Sequence, residues 1–442
     1  MTERNSAPAR RAYRRARPVE LLASHPAYVW CLVGFLVSDI FSTHASGLGL
    51  PVGPDRLFLA SFLLLIVLDD RTRLRDLNLG GVHLLALGVL TVAGLSAVAA
   101  GTLSTSLGFF ALLDRLAVPY LLFALAPLAL RRSEDRLFLL QVMTCIGLYL
   151  GLTAIFEVIG PHALVFPRYI LDANVGIGFG RARGPFVASE GDGLTLLAAT
   201  FCGIVLLRVS PSPAWRRLCV CVVPIAVFGS LLTLTRSIWL GLVVGILVLA
   251  VREPKLRRPI VVGAVIVAAV ASITLLFSSS LAARVTDRAE TSRSVYDRRN
   301  TNSAAIRAIT AHPLTGVGWA KFIDVSDQYV RQSRDYPLTR TNIEIHNVVL
   351  SRAAELGIPG ALLWIGSVLM GPGMGVIRRP SNRSYHTWRL VLTGTFASWL
   401  VPVFTSPLPY PLPNNLVWLF AGVTLTPALL SRDIALPSDT SF

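Results

Sequence analysis

The chain contains a histidine, His346, at the point where a polar segment meets an apolar one. The stretch TNIEIHNVVLSRAAELGIPGALLWI, residues 341–365, begins with polar side chains and ends with residues typical of a lipid environment. A neutral imidazole accepts a proton near physiological pH more readily than any other unperturbed side chain. His346 is therefore a candidate proton acceptor, although a lone histidine in such a place also fits a purely structural role.

Arginines in three other segments could act together with this histidine. Arg236 lies at a tight turn between two apolar runs, where it has either a functional partner or an anchoring role at the membrane interface. Arg181 and Arg183 precede a Gly-Pro break, and Arg298 and Arg299 open an amphipathic stretch. Guanidinium groups bind phosphate oxygens with forked, permanently charged donors. The residue types thus predict a site for an anion beside a proton acceptor.

Several neighbouring polar residues have simpler explanations. Asn347 follows the histidine and suits the start of a helix, where its side chain accepts a backbone hydrogen bond. Asp114 and Arg115 are adjacent within an apolar run, and a buried ion pair explains them. Glu190 and Asp192 enter a predicted helix in its first turns, where acidic side chains are stabilised by the helix dipole.

The sequence lacks the motifs of metal and nucleotide chemistry. It contains no glycine-rich phosphate loop after a strand, no His-Glu-x-x-His, no Cys-x-x-Cys and no Asp-x-Asp near an apolar run. The five cysteines fall inside apolar runs, so free thiols are expected. We therefore expect neither a metal ion nor another cofactor, and the pattern argues against a metal-dependent transferase that uses nucleotide sugars.

The composition indicates an all-α polytopic integral membrane protein. Of 442 residues, 53% are hydrophobic and 15% are charged, whereas roughly 25% are charged in soluble domains. Apolar runs of about 20 residues, the length that crosses a bilayer, recur along the chain. The net charge of +16 comes almost entirely from arginine. Basic loops that orient helices explain this charge better than nucleic-acid binding does.

The apolar runs predict about twelve transmembrane helices, and the loops predict their orientation. The runs cover 27–43, 56–69, 81–100, 107–130, 137–159, 186–207, 217–234, 236–251, 259–277, 346–370, 387–405 and 413–430. Short arginine-rich connections alternate with weakly charged ones, which places both termini in the cytoplasm. The predicted parts are a basic tail (1–26), nine helices (27–277), an extracytoplasmic loop with short amphipathic helices (278–345), three helices (346–430) and a second cytoplasmic tail (431–442).

Two connections on the outer side are unexpectedly basic. Residues 160–185 carry three arginines, and residues 278–345 carry ten basic against seven acidic side chains. Positive charge on the outer face opposes the usual orientation rule, so a dianionic ligand such as a pyrophosphate is a natural explanation. The alternative for the longer loop is that long segments translocate regardless of their charge.

Four segments in this order resemble the O-antigen ligase and O-antigen polymerase superfamily. The chain has RGPF at 183–186, TRSIWL at 235–240, a loop arginine at 298, HPLTGVG at 312–318 with Phe322, and HNVVLSRAAELGIPG at 346–360. The last two blocks are specific in combination, whereas TRSIWL is weak alone. The resemblance covers roughly residues 180–370. The neighbouring Arg299 leaves the position of the loop arginine open by one residue.

The resemblance implies a C-type glycosyltransferase architecture in the bacterial cytoplasmic membrane. Such an enzyme moves a glycan from a polyprenyl-pyrophosphate carrier to a glycan, lipid or protein acceptor on the outer face, without metal or nucleotide. In this interpretation His346 removes or orients the acceptor proton, and Arg183, Arg236 and Arg298 stabilise the leaving pyrophosphate. Arg115, Arg181, Arg299 and Asn347 are further candidates for substrate binding, and membrane lipids surround the helices.

Two other classes of protein also fit parts of this pattern. A secondary transporter, or a flippase for lipid-linked sugars, would explain twelve helices and charged residues in the outer half. It predicts inverted repeats and ionisable groups near the bilayer midplane, but no internal repeat is visible and the candidates lie at one face. A scaffold protein with an inactive site is less consistent with the presence of both Arg236 and His346.

Overall fold

The computed structural model describes residues 25–44, 53–69, 74–291, 293–332, 337, 343–379 and 382–430. The two predicted tails therefore lie outside the described residues, apart from the last two residues of the first. The regular structure of these ranges is helical, with one isolated bridge between Leu77 and Leu430. The predicted all-α class is thus confirmed for the described part.

We number the described α-helices in chain order, treating α4 as one helix through its internal π-helical turn. Their bounds are α1 Ala27–Asp39, α2 Pro54–Leu68, α3 Gly81–Ala99, α4 Ser106–Ala129, α5 Ser133–Val158, α6 Ser189–Val209, α7 Pro213–Leu232, α8 Arg236–Arg252, α9 Arg257–Phe277, α10 Ser279–Glu290, α11 Arg293–Ala311, α12 Phe322–Tyr329, α13 Val348–Val368, α14 Arg383–Val403 and α15 Pro411–Leu429.

Each predicted apolar run coincides with one of these helices. Seven of the described helices are long and apolar enough to cross a membrane, namely α3, α4, α5, α6, α7, α9 extended to Pro254, and α13 extended to Ile377. Together they identify a polytopic membrane protein. The number of twelve membrane spans remains a prediction, because α1, α2, α8, α14 and α15 do not meet the same test of length and hydropathy.

The core of the bundle is built around α6. In its apolar window 78% of the residues are buried, against 6% for α9, so α6 is central and α9 faces outward.

Close helix contacts depend on small residues. A side chain at Gly241 of α8 would lie 2.9 Å from the carbonyl oxygen of Ser398 in α14. The Ser398 hydroxyl also donates to the Gly241 carbonyl at 2.7 Å, which fixes α8 against α14.

The two specific motif blocks are joined by backbone hydrogen bonds. Helix α13 is interrupted at Gly357, where φ is 73° and ψ is 173°. The amides of Val317 and Gly318 donate to α13 carbonyls on one side of the break, and the Ile358 amide donates to the Pro313 carbonyl at 2.8 Å. We call this contact between residues 313–318 and 354–358 the α13 clamp.

The sequence ELGIPG predicts a bend of this helix at Pro359 and Gly360, whereas the structure places the bend at Gly357. Gly357 is required at this point because φ is positive and a side chain would lie 2.2 Å from the Leu314 carbonyl oxygen. Pro359 then lies in the first turn of the second half, where a missing amide hydrogen has little cost. Helix α11 covers the predicted amphipathic stretch and ends at Ala311 just before the clamp.

Candidate functional site

Arg236 stands at the first position of α8, and its side chain closes the end of α10. The guanidinium donates to the carbonyl oxygens of Arg288 and Thr291, the latter at 2.9 Å. In return, Nε of Arg288 donates to the Leu234 carbonyl at 3.2 Å in the turn before α8. Cations stabilise the C-terminal end of a helix, where carbonyl groups lack partners. This exchange fixes α10, and with it Arg288, beside Arg236.

Arg288 extends the group of arginines at this end of the bundle. Burial lowers the pKa of the Arg288 guanidinium to about 10, and the charges of Arg181, Arg236 and Arg298 act in the same direction. We call these four residues the arginine cluster. Burial also lowers the pKa of Arg181 and of Arg298, and Glu190 opposes both shifts. The arginine cluster therefore concentrates positive charge on side chains that are partly shielded from water.

Glu190 is the acidic residue that the arginine cluster shares. Its carboxylate accepts a hydrogen bond from Ser237 at 3.3 Å and another from Ser406. It interacts electrostatically with Arg181 and Arg298. A second carboxylate, that of Asp287, interacts with Arg181 and Arg288. The two carboxylates together do not neutralise the four guanidinium groups, so the net charge of the cluster is positive. An anionic ligand would complete this arrangement.

His346 lies next to Arg298 and is half-buried. Burial lowers the pKa of its imidazole and the charge of Arg298 lowers it further, while a backbone hydrogen bond at Glu344 acts the other way. Within the described part of the chain, Nδ1 of His346 and Nε of Arg298 are buried and have no hydrogen-bond partner. The neutral imidazole can therefore accept a proton, and both side chains have atoms left for a ligand.

Arg183 occupies a different position from the cluster. It is fully buried, and its guanidinium donates to the carbonyls of Val175 and Ile170, each at 2.6 Å. Glu157 lies 3.5 Å from Nε and also accepts the Arg183 backbone amide at 2.9 Å. Arg183 therefore holds the loop 160–185 in place. This loop brings Arg181, two residues away, to the cluster.

The remaining predicted residues also have identifiable places. The side chain of Asn347 accepts the Leu350 amide at 3.1 Å and caps α13. Arg115 lies in the π-helical turn of α4 and pairs with Glu344 at 2.8 Å. The expected Asp114–Arg115 pair is replaced, because Asp114 pairs with Arg56 at 2.6 Å. Arg299 is exposed on α11.

Sequence reasoning missed two members of this site. Arg288 is one of nine arginines in the segment 278–345, and nothing in the local pattern distinguishes it from the others. Glu190 was explained by helix capping, whereas its side chain bonds to Ser237 and Ser406. The one feature of the sequence that points to Glu190 is that Arg181 precedes it by nine residues.

An apolar groove begins beside the arginine cluster. Its volume is about 220 Å³, and α7, α8, α9 and α10 form its walls. Leu234 in its lining also accepts the Arg288 hydrogen bond, so the groove and the cluster share a border. The other lining residues are Phe228, Leu231, Leu232, Trp239, Ala271, Thr274, Leu275, Leu281 and Val285.

The described residues contain no group of three or more His, Cys, Asp or Glu side chains placed to hold a metal ion. The positive charge at this site is supplied by guanidinium groups. One end of this bundle of apolar helices thus combines a cationic cluster, a neutral histidine and an adjoining apolar groove, which is the chemistry that suits an anionic amphiphile.

Comparison with known families agrees with this description. Residues 221–365 match the family model described as O-antigen ligase, which confirms the resemblance to the O-antigen ligase superfamily. The match runs from α7 into α13 and includes Arg236, Arg288, Arg298 and His346. No curated protein matches the chain. The match supports an enzyme of the bacterial inner membrane that carries out glycan transfer of the ligase or polymerase type, with a lipid-linked donor and a glycan acceptor.

Proposed function

We propose that this protein transfers a glycan from a polyprenyl-pyrophosphate carrier to an acceptor hydroxyl at the outer face of the cytoplasmic membrane. The observation that carries the proposal is the convergence of Arg181, Arg236, Arg288 and Arg298 beside His346, whose Nδ1 has no partner in the described residues. These residues come from four separate segments, so their meeting is a property of the fold.

In the proposed reaction, the acceptor oxygen attacks the anomeric carbon of the glycan. The bond between that carbon and the pyrophosphate oxygen breaks, and the pyrophosphate leaves with the electron pair. His346 takes the proton of the acceptor hydroxyl, which its neutral state permits. The arginine cluster stabilises the charge that grows on the leaving group, because guanidinium donors retain their charge when partly desolvated.

The predicted residues take distinct parts in this proposal. Arg236 and Arg298 contact the pyrophosphate, with Arg288 and Arg181 completing the cluster. Arg183 is assigned a positioning role, since its donors are engaged by the loop 160–185 and Glu157. Asn347 positions His346 by capping α13.

The apolar groove suits the polyprenyl tail of the donor. Its lining is apolar, it borders the cluster at Leu234, and its outer wall is α9, the least buried of the seven candidate membrane spans. A lipid in this groove places its pyrophosphate against Arg236 and Arg288 while its tail remains among apolar side chains. The proposed orientation, with both termini in the cytoplasm, puts this end of the bundle at the outer face.

A transfer assay with purified full-length protein tests the proposal. The assay contains a polyprenyl-pyrophosphate glycan, an acceptor and a chelator. His346→Ala is expected to lower the rate about 10²- to 10⁴-fold, as loss of a general base does. His162→Ala is the matched control, because His162 is exposed and lies outside the motif blocks. Full activity of His346→Ala would contradict the assigned role.

A second arm distinguishes transfer from transport. Arg236→Ala is compared with Arg331→Ala, an exposed arginine outside the cluster. Loss of product in the first variant alone, with folded protein retained, supports the transferase. Movement of a lipid-linked glycan across vesicles that survives both His346→Ala and Arg236→Ala would instead favour a flippase or transporter. Ligase and polymerase share this chemistry and differ in the acceptor that the assay accepts.

A further inference from the structure

A second group of arginines lies at the end of the bundle opposite the candidate site. Helices α6 and α8 begin at the candidate site and end near Arg208 and Arg252, respectively. The 17 residues of α8 span about 25 Å at 1.5 Å per residue. Arg379 follows α13, and Arg389 lies two turns into α14. These four residues, which we call the distal arginines, are separate from the residues of the proposed transfer reaction.

Arg389 is the buried member of the distal arginines. It is 6% exposed, and its Nη2 lies 3.2 Å from Nε2 of His386. Its Nη1 is buried and has no hydrogen-bond partner in the described residues. The charges that act on Arg389 are those of Arg252 and Arg379, which repel it, and of Glu253, which attracts it.

Among the described residues, the carboxylate of Glu253 is the one that acts on Arg389, and it does not satisfy this group. Glu253 also lies 3.7 Å from the guanidinium of Arg208, so it is divided between two arginines. A buried donor without an acceptor is costly, and a buried charge without a partner costs more. An anion at this point would satisfy Nη1 of Arg389 and offset the repulsion from Arg252 and Arg379.

A cavity adjoins the distal arginines. It has a volume of about 100 Å³ between α5, α6 and α14, and its polar lining comprises Arg136, Arg208, Ser133, Ser384 and Thr387. Arg208 connects the cavity to the group described above, because it also interacts with His386 beside Arg389. Arg136 already donates to Ser384 and to the carbonyls of Leu130 and Arg131, so the guanidinium that this wall offers to phosphate oxygens is that of Arg208.

We infer that the distal arginines form a binding site for a phosphate group, carried by an anionic phospholipid or present as free phosphate. Orientation in the membrane explains exposed arginines such as Arg252 and Arg379 at a helix end. It does not explain an arginine that is 94% buried with one donor unused. The inference stands apart from the proposed transfer reaction, since it uses none of the residues of that site.

Binding is measured on the full-length protein by native mass spectrometry with phosphatidylglycerol, and with phosphatidylcholine as the neutral lipid. A thermal-unfolding series with inorganic phosphate against chloride at equal ionic strength forms the second arm. Selective binding of phosphatidylglycerol identifies a lipid headgroup, whereas stabilisation by inorganic phosphate identifies a free anion. Equal binding of the two lipids together with no effect of phosphate would overturn the inference.

Variants locate the site. Arg252→Gln and Arg379→Gln change exposed side chains, and each is expected to weaken anion binding about fivefold. Arg389→Lys keeps the charge and removes the forked donors, so binding weakens while the fold is retained. Arg258→Gln, an exposed arginine at the start of α9, is the matched control. A loss of binding in Arg258→Gln equal to that in the other variants would also overturn the inference.

Discussion

The loop 160–185 and helix α11 each supply an arginine to the same end of the molecule, but the two guanidinium groups are used in opposite ways. Arg183 is fully buried, bonds to carbonyls of its own loop and pairs with Glu157. Arg298 is half-buried and interacts electrostatically with Glu190 and His346, and its Nε, like that of Arg183, has no hydrogen-bond partner in the described residues.

The difference shows what distinguishes a structural arginine from one available to a ligand. Burial alone does not, because Arg183 is the more buried of the two. The state of the terminal donors does, since both Nη atoms of Arg183 already donate to loop carbonyls, whereas Arg236 donates to carbonyls from Nη2. We therefore expect stability to depend on Arg183 and transfer chemistry to depend on Arg298.

Arg183→Gln is expected to give the largest change in stability. Removing one partner of this buried ion pair leaves the Glu157 carboxylate without its cation and the carbonyls of Ile170, Asp172 and Val175 without their donor, which costs about 3–5 kcal/mol. Thermal unfolding in detergent should show a clearly lower Tm than for the wild type. Arg331→Gln, at an exposed position, should leave Tm unchanged. A stable Arg183→Gln protein without transfer activity would place Arg183 among the ligand-binding residues instead.

Arg298→Gln is expected to affect transfer and to spare the fold. Loss of one charged donor to the leaving group lowers the rate about 10²- to 10³-fold, as for other preorganised donors to a developing negative charge. Transfer rate and Tm are measured together, with Arg299→Gln as the neighbouring comparison. Since Arg299 is exposed, its substitution should have the smaller effect, and the reverse order would move the loop arginine by one position.

These two arginines could not be separated from the sequence. Both lie in basic connections on the predicted outer side, and what distinguishes them is contact with Glu157 and Ile170 in one case and electrostatic interaction with Glu190 in the other. The helices were predictable, because apolar runs of membrane length depend on local composition. Helix α13 breaks at Gly357 and not at Pro359, because the backbone of Gly357 packs against Leu314. Leu314 lies 43 residues earlier in the chain, so the local sequence does not reveal this contact.

The pH dependence of the transfer rate should differ between the wild type and Arg298→Gln. His346 must be neutral to accept a proton, so the rate is constant above its pKa and falls about tenfold per pH unit below it. Burial and Arg298 lower this pKa, so the fall begins below the ordinary value of about 6.5. Rates measured across this range should show the fall at higher pH in Arg298→Gln, whose repulsive charge is gone. Unchanged pH profiles in this variant would separate Arg298 from His346.

Glu190→Gln should give the smallest of these effects. Its carboxylate interacts with Arg181 and Arg298, and a hydrogen bond or contact to a charged group contributes about 1.5–3 kcal/mol. We expect kcat/KM to fall about 10- to 100-fold, because the arginines repel one another and shift from their positions. Glu190→Asp should recover part of this loss, whereas identical losses in both variants would argue against a positioning role.

The α13 clamp has a mechanical consequence. Three backbone hydrogen bonds join the segment after α11 to α13, the helix that follows His346, and α11 carries Arg298. The imidazole of His346 and the guanidinium of Arg298 are thereby carried by two segments that the backbone itself joins. In the proposed reaction, the distance between the proton acceptor and this arginine is therefore set by main-chain hydrogen bonds, which no side-chain substitution removes.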